Sequence, residues 1–306
     1  MKKVWHLLIF VVNCSLIFCL LNSRKVSGSD NLMNSKKKLS VKEAYSPGYT
    51  KNLVNSYSQR KAYKEANFLI PYLKKMHVFY LDCGCGPGNI TLDLAKIVSE
   101  GKVIGIDVEQ SQIKEATKRA KRQVINNVKF YQSSVYKLPF KDETFDIVFC
   151  HTLLQHLKEP IDVLKDIYRV LKPGGLVALR DDDSSSLILS PETPEMNKVL
   201  EIMKKIMIHS GGNPCVGKSY KQILSQAGFK DLKITVSCDC DSELEDTKTR
   251  GEIAKELLTT FKKDAIKLGW VTDNEMEKLI EEAEKWGSNP YAFDAIIWCE
   301  GIGFKK

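Results

Sequence analysis

This sequence offers a nucleotide-binding turn twice, in two glycine-rich stretches that imply different ligands. LDCGCGPGN (residues 81–89) carries Gly84, Gly86 and Gly88, and GGNPCVGKS (residues 211–219) fits G-x-x-x-x-G-K-[ST] from Gly212 to Ser219. In the first, the apolar run HVFYLD leads in and the helical pattern ITLDLAKIVSE leads out, which is the strand–turn–helix context of a nucleotide-facing loop. Its glycines permit a tight turn and close approach of backbone to ligand, and the following helix opens with unpaired amides. Asn89 stands where a dinucleotide fingerprint has its third glycine, which weakens a hydride-transfer reading. Asp107 ends the next apolar run, KVIGID, where an acid accepts hydrogen bonds from both ribose hydroxyls. Loop and acid in this order point to a ribose-bearing cofactor. The second stretch follows VLEIMKKIMIHS, whose apolar spacing is helical, whereas a P-loop needs a strand there. Pro214 also removes an amide from the cradle. It reads as a turn between two helices, with no catalytic role for Lys218 or Ser219.

Proton chemistry has fewer candidates. His151 and His156 follow the run FDIVFC, and imidazoles in ordinary surroundings titrate near pH 7. Either can serve as a general base, and for His156 a structural hydrogen bond is the competing role. Asp181, Asp182 and Asp183 end the run LVALR, where they can face a cationic substrate or cap the next helix. The nine cysteines are odd in number and mostly sit in apolar runs, as reduced buried thiols do. The lone C-x-C at Cys238 and Cys240 is too little for a metal site, and none is expected.

The elements that must position these groups alternate. HVFYLD, KVIGID, VKFY, FDIVFC and LVALR read as strands, separated by helical segments such as SQIKEATKRAKRQV and IDVLKDIYRVL, the latter stopped by Lys172-Pro173-Gly174-Gly175. Helical spacing also runs through the leading segment from Lys51 to Lys75. After Arg180 come helices, the strands DLKITVS and AFDAIIWCEGIGF, and a capping box at Thr272–Glu275. The expected fold is α/β: a Rossmann-like, seven-stranded, mostly parallel sheet with its last strand antiparallel, helices on both faces and a helical substrate cap. Its domain spans 51–306, with helical insertions at about 191–228 and 244–287.

Residues 23–50 read as a polar linker. Residues 1–22 hold an apolar run from Trp5 to Leu21 and read as a membrane anchor or a signal peptide. Arg24, Lys25 and Lys36–Lys38 on the far side favour an anchor with a cytosolic catalytic domain, and secretion after cleavage is the alternative. A sequon at Asn89-Ile90-Thr91, inside the glycine loop, also favours the cytosol, because a glycan there would obstruct the ligand. The net charge of +8 is spread along amphipathic helices, and no nucleic-acid partner is expected.

YLDCGCGPGN, VIGID, SSVYKLPF, FDIVFCHTLLQHL and RVLKPGG stand in the order and spacing of class I S-adenosylmethionine-dependent methyltransferases. The chain resembles their ubiquinone/menaquinone-biosynthesis-type small-molecule branch over residues 52–240. QRKAYKEANFLIPYL and WGSNPYAFDAIIWCEGIGF further resemble the fungal dithiol thiomethyltransferases. The resemblance implies S-adenosylmethionine as cofactor and a small methyl acceptor of lipophilic character, methylated at S, O, N or C. By it, Gly84, Cys85, Gly86 and Gly88 approach the methionine part, with Asp82 beneath the loop. Asp107 holds the ribose, Val108 and Gln112 border the adenine, and Ser134 stands where the family usually has an acid. Val135 offers its amide to the ring, Cys150 and Gln155 lie by the methionine portion, and Arg60 and Tyr63 close over the cofactor. A nicotinamide-dependent oxidoreductase and a non-catalytic cofactor-binding module are the alternatives.

Overall fold

A computed structural model describes residues 56–73 and 78–306. The expected anchor (1–22) and linker (23–50) lie outside them. Among the described residues, no helix is long and apolar enough to cross a membrane.

The short apolar runs form the sheet. β1 (Phe79–Cys83) lies between β2 (Lys102–Asp107) and β4 (Phe145–His151). β3 (Val128–Gln132) flanks β2 and β5 (Leu171–Asp182) flanks β4, all in parallel register. Such strands are covered on both faces and so are almost wholly apolar, as β1 and β4 are. β8 (Phe293–Phe304) runs antiparallel to β5, and along its other side lies β7 (Lys230–Asp241). An eighth strand, β6 (Ile188–Ser190), was not expected. It is three residues long and pairs only the start of β8, too short for a period-2 pattern to reveal.

After the helical pair Ser56 and Tyr57, the next helices among the described residues are α1 (Ala62–Glu65), α2 (Asn89–Ile97), α3 (Gln110–Arg122) and α4 (Pro160–Val170). α2 to α4 follow β1, β2 and β4. On α3, Ile113, Ala116 and Ala120 pack inward while the lysines face solvent. Among the described residues, the long leading helix expected up to Lys75 is broken. α1 ends at Glu65, and a 3₁₀ turn follows at Ile70–Tyr72, because Pro71 cannot sit inside a continuous helix. Its apolar residues still pack, with Ala62, Ala66, Leu69 and Leu73 joining Tyr80, Leu92 and Phe149 in the core.

Four more helices follow β6: α5 (Pro194–His209), α6 (Tyr220–Gln226), α7 (Leu244–Lys267) and α8 (Asp273–Gly287). The Asp triplet caps none of them. Thr193 caps α5 by accepting the Met196 amide, which overturns the capping role for Asp181–Asp183. The capping box at Thr272 and Glu275 is present as expected. α5, α7 and α8 share a core of their own, including Val199, Ile202, Leu258, Met276 and Trp286. Burying each such side chain is worth about 1.5–3 kcal/mol, enough to hold three helices together above the sheet.

Candidate active site

The carboxyl ends of β1, β2 and β4 open into a cavity of about 590 Å³. After β1 the chain must turn sharply into α2, and it does so through Gly84, Gly86 and Gly88, all at positive φ. Gly88 is doubly constrained, because a Cβ there would stand 2.8 Å from the Ala116 Cβ. The loop is tied to the next strand by the Gly84 and Cys85 amides, which donate to the Ile106 carbonyl. The amide of Gly86 donates to Asp107 Oδ2 at 2.9 Å, and Glu109 donates to Oδ1 at 2.8 Å. Asp107 thus fixes the loop. Burial raises its pKa, partly offset by those amide donors. A carboxylate has about four lone-pair sites, and the backbone amides of Gly86, Val108 and Glu109 leave capacity for a further donor from a ligand.

Asp82, 3% exposed, accepts a 2.6 Å hydrogen bond from Thr91 on α2. Burial, with a smaller contribution from neighbouring Asp107, pushes its pKa up to about 7 against the relief from Thr91. Gln112 lines the cavity, and its Oε1 is buried with no hydrogen-bond partner, a vacancy for a ligand N–H. Open acceptors on Asp107 and Gln112 and a glycine cradle fit a ribose and an adenine amino group.

The wall after β4 carries a buried charge network. Glu65 Oε2 lies 2.9 Å from His151 Nε2 and also bonds Arg180 Nη1. Arg180 lies 4.1 Å over the Trp298 ring, with Asp239 at 3.4 Å and Glu300 at 3.7 Å. On its other side, His151 Nδ1 has Arg60 and Thr152 at 3.4 Å. Burial raises the pKa of Glu65, but His151, Arg180 and Arg60 overcome it and bring the value down to about 2. For His151, burial and the two arginines outweigh Glu65 and leave it at about 4; burial takes His156 to about 3. Neither histidine titrates near pH 7, which corrects that expectation. A neutral His151 donating Nε2–H to Glu65 keeps Nδ1 as an acceptor toward Arg60.

The cavity gathers Asp82, Gly84, Cys85, Gly86, Asp107, Val108, Gln112, Val135, His151 and His156. Gly88 caps the start of α2 just outside it. Ser134 does not line it: its hydroxyl accepts the Tyr136 amide at 3.2 Å, and Ser133 stands on the wall instead. Cys150 is fully buried within the sheet, and Gln155 lines a different cavity. Tyr63 is 73% exposed and does not line the cavity, whereas Tyr57, with the Arg60 guanidinium 4.5 Å from its ring centroid, does. Glu65 and Arg180 escaped sequence reasoning; a charged residue in each of two apolar patterns was their only signal. Asp181 is fully buried and accepts the Tyr220 hydroxyl at 2.5 Å, which leaves it no open route to a cationic substrate. No cluster of metal-ligating side chains occurs among the described residues.

A doubly wound sheet with a ribose-type acid hydrogen-bonded to its first glycine loop defines a nucleotide-cofactor-binding α/β enzyme. Residues 74–284 match the methyltransferase domain family, and the chain belongs to that family. Its class is that of S-adenosylmethionine-dependent methyltransferases, with S-adenosylmethionine as cofactor. An uncharacterized methyltransferase of Schizosaccharomyces pombe is 36% identical over 183 residues, covering 58% of this chain and 65% of that protein. A demethylmenaquinone methyltransferase of Lactobacillus johnsonii is 33% identical over 181 residues, covering 54% of this chain and 74% of that protein. The solved YcgJ protein of Bacillus subtilis shares the fold at a TM-score of 0.54 and 19% identity, covering 79% of this chain and 98% of that one.

Proposed function

We propose that this chain transfers a methyl group from S-adenosylmethionine to a small, lipophilic acceptor seated beside the turn that follows β4. The observation that carries the reading is Asp107, which ties the glycine loop by its Gly86 hydrogen bond and at the same time lines the cavity. The cofactor, when bound, supplies a methyl group activated on a sulfonium. The protein's share is placement. Asp107 takes the ribose hydroxyls, Gln112 Oε1 accepts from the adenine amino group, and the Gly84–Gly88 loop with Asp82 receives the methionine end. Tyr57 and Arg60 line the cavity and would shield the reacting groups from water when the cofactor is bound, which favours methyl transfer. His151, neutral and held by Glu65, positions the wall next to the acceptor.

An apolar acceptor suits the apolar cap above this wall. The apolar N-terminal run supports membrane association of a cytosolic catalytic domain, and deleting residues 1–22 should then release the protein from membranes. Thermal shifts with S-adenosylmethionine, a nicotinamide dinucleotide and ATP test the central reading. S-adenosylmethionine alone should stabilise the protein, and a response to either of the others without it would overturn the assignment. Screening thiols, quinols, phenols and amines for methyl acceptance then identifies the attacking atom.

A further inference from the structure

A second cavity, of about 230 Å³, lies beneath the helical cap, and the cofactor site makes no use of it. A single water needs only about 10–15 Å³. Its walls are mostly apolar, with Met196, Val199 and Met203 from α5, Ala254 and Leu257 from α7, and Trp286 from α8. Two polar atoms on residues lining it lack any hydrogen-bond partner, Gln155 Oε1 and Trp286 Nε1. The residues are 5% and 4% exposed. Gln155 hydrogen-bonds the Asp182 side chain, which needs its amide N–H, so Oε1 is the open acceptor. One unmet acceptor and one unmet donor, both buried, are costly to leave so and favour a ligand that supplies the complement of each.

The charges nearby narrow that ligand. Arg250 is already held by Asp241 at 2.7 Å and Asp294 at 3.5 Å. Asp182 and Asp294 line the cavity as well, with Lys204 on α5 the further cation. An anion would meet these two carboxylates with Lys204, besides the committed Arg250, to receive it. The two cavities also share a wall, because the turn after β4 gives Leu153 and His156 to the first and Gln155 to the second.

We propose that the cap cavity receives the apolar body of the methyl acceptor, and that the ligand is not anionic and carries an anchoring hydroxyl. That hydroxyl donates to Gln155 Oε1 and accepts from Trp286 Nε1–H. The assignment of the ligand as acceptor rests on the methyl-transfer reading above; the binding site does not need turnover to be tested.

Calorimetry on the full chain with 1-naphthol, naphthalene and 1-naphthoate tests it. 1-Naphthol should bind about tenfold more tightly than naphthalene, the worth of one net hydrogen-bond gain. 1-Naphthoate should bind more weakly than 1-naphthol. In Trp286→Phe the hydroxyl preference should fall to within about twofold, with S-adenosylmethionine affinity unchanged. Gln155→Met should lose the preference too, and it carries the test if Trp286→Phe does not fold. Equal binding of the three probes, no binding at all, or a preference that survives both substitutions overturns the proposal. If 1-naphthol binds as described but S-adenosylmethionine does not bind, the methyl-transfer reading fails and the cavity assignment stands. If S-adenosylmethionine binds and the hydroxyl preference is absent, only the cavity assignment fails.

Discussion

Asp82 links cofactor affinity to pH. S-adenosylmethionine carries a net positive charge near neutrality, from a sulfonium, an ammonium and one carboxylate. Beneath the loop that receives its methionine end lies a carboxyl group whose pKa burial has pushed up to about 7. If the cation is bound by the ionised carboxylate, the association constant scales as 1/(1 + 10^(pKa − pH)). Between pH 7.0 and pH 5.5 that factor falls about 16-fold, or about 1.6 kcal/mol, in a range where the ligand's α-amino group stays protonated. Isothermal titration calorimetry across that range reads the slope directly. Asp82→Asn keeps an acceptor for Thr91 and should flatten the slope to within about twofold. The unliganded fold has the opposite preference. Its Asp82 pKa lies above the ordinary value of 3.8, so the contribution to stability is full below about pH 3.8 and is lost as pH rises through about 7. That loss amounts to as much as about 4 kcal/mol and should be absent from Asp82→Asn. A wild-type affinity independent of pH, or a slope unchanged by the substitution, would refute the role given to Asp82.

The other predictions concern the scaffold. Glu65→Gln removes the carboxylate that bridges His151 and Arg180 and should cost about 3 kcal/mol in urea unfolding at pH 7, because a buried guanidinium loses a partner. Glu65 has its pKa lowered to about 2, so its stabilisation is present above about pH 4.5 and disappears as pH falls toward 2. The variant should show a correspondingly shallower loss over that window; an unchanged acid limb would mean the pair contributes nothing. Gly88→Ala places a Cβ against Ala116 and Phe130 at a φ of +82° and should lower stability by about 3 kcal/mol, or about 6–12 °C in Tm by calorimetry. A Tm within 2 °C of wild type would show that α3 yields more readily than its packing implies.

What the sequence made legible was local. The glycine loop and Asp107 are separated by one helix and one strand, and their spacing follows from the repeating unit itself. The cap helices announced themselves by apolar periodicity, and Thr272 with Glu275 by a four-residue signature. The Glu65 network could not be read that way. Glu65 ends a four-residue helix in a turn-rich segment, and its partners His151 and Arg180 lie 86 and 115 positions away. Histidine type alone set the wrong expectation for proton affinity, since burial and flanking arginines, both tertiary facts, bring His151 down to about 4. Gln155 illustrates a finer limit. Its position after β4 is legible, but the turn there points it into the cap cavity rather than toward the cofactor.

The same distinction decides between the two glycine stretches. GGNPCVGKS has every residue the P-loop expression asks for, yet α5 precedes it and the stretch folds as a turn ending in a 3₁₀ helix. Lys218, the residue that would neutralise phosphate, lies 3.2 Å from Asp183 and also bonds Ser185. Asp183 is buried, with a pKa lowered despite burial by Ser185, Cys215 and Lys218, so it is ionised at neutral pH. A phosphate near Lys218 would have to displace that carboxylate or stand beside it, and like charges at such distances repel. At the first loop the acid is an asset, because ribose hydroxyls are donors and Asp107 accepts. What separates a site from a spacing match here is the sign of the charge that the fold has already placed beside the motif.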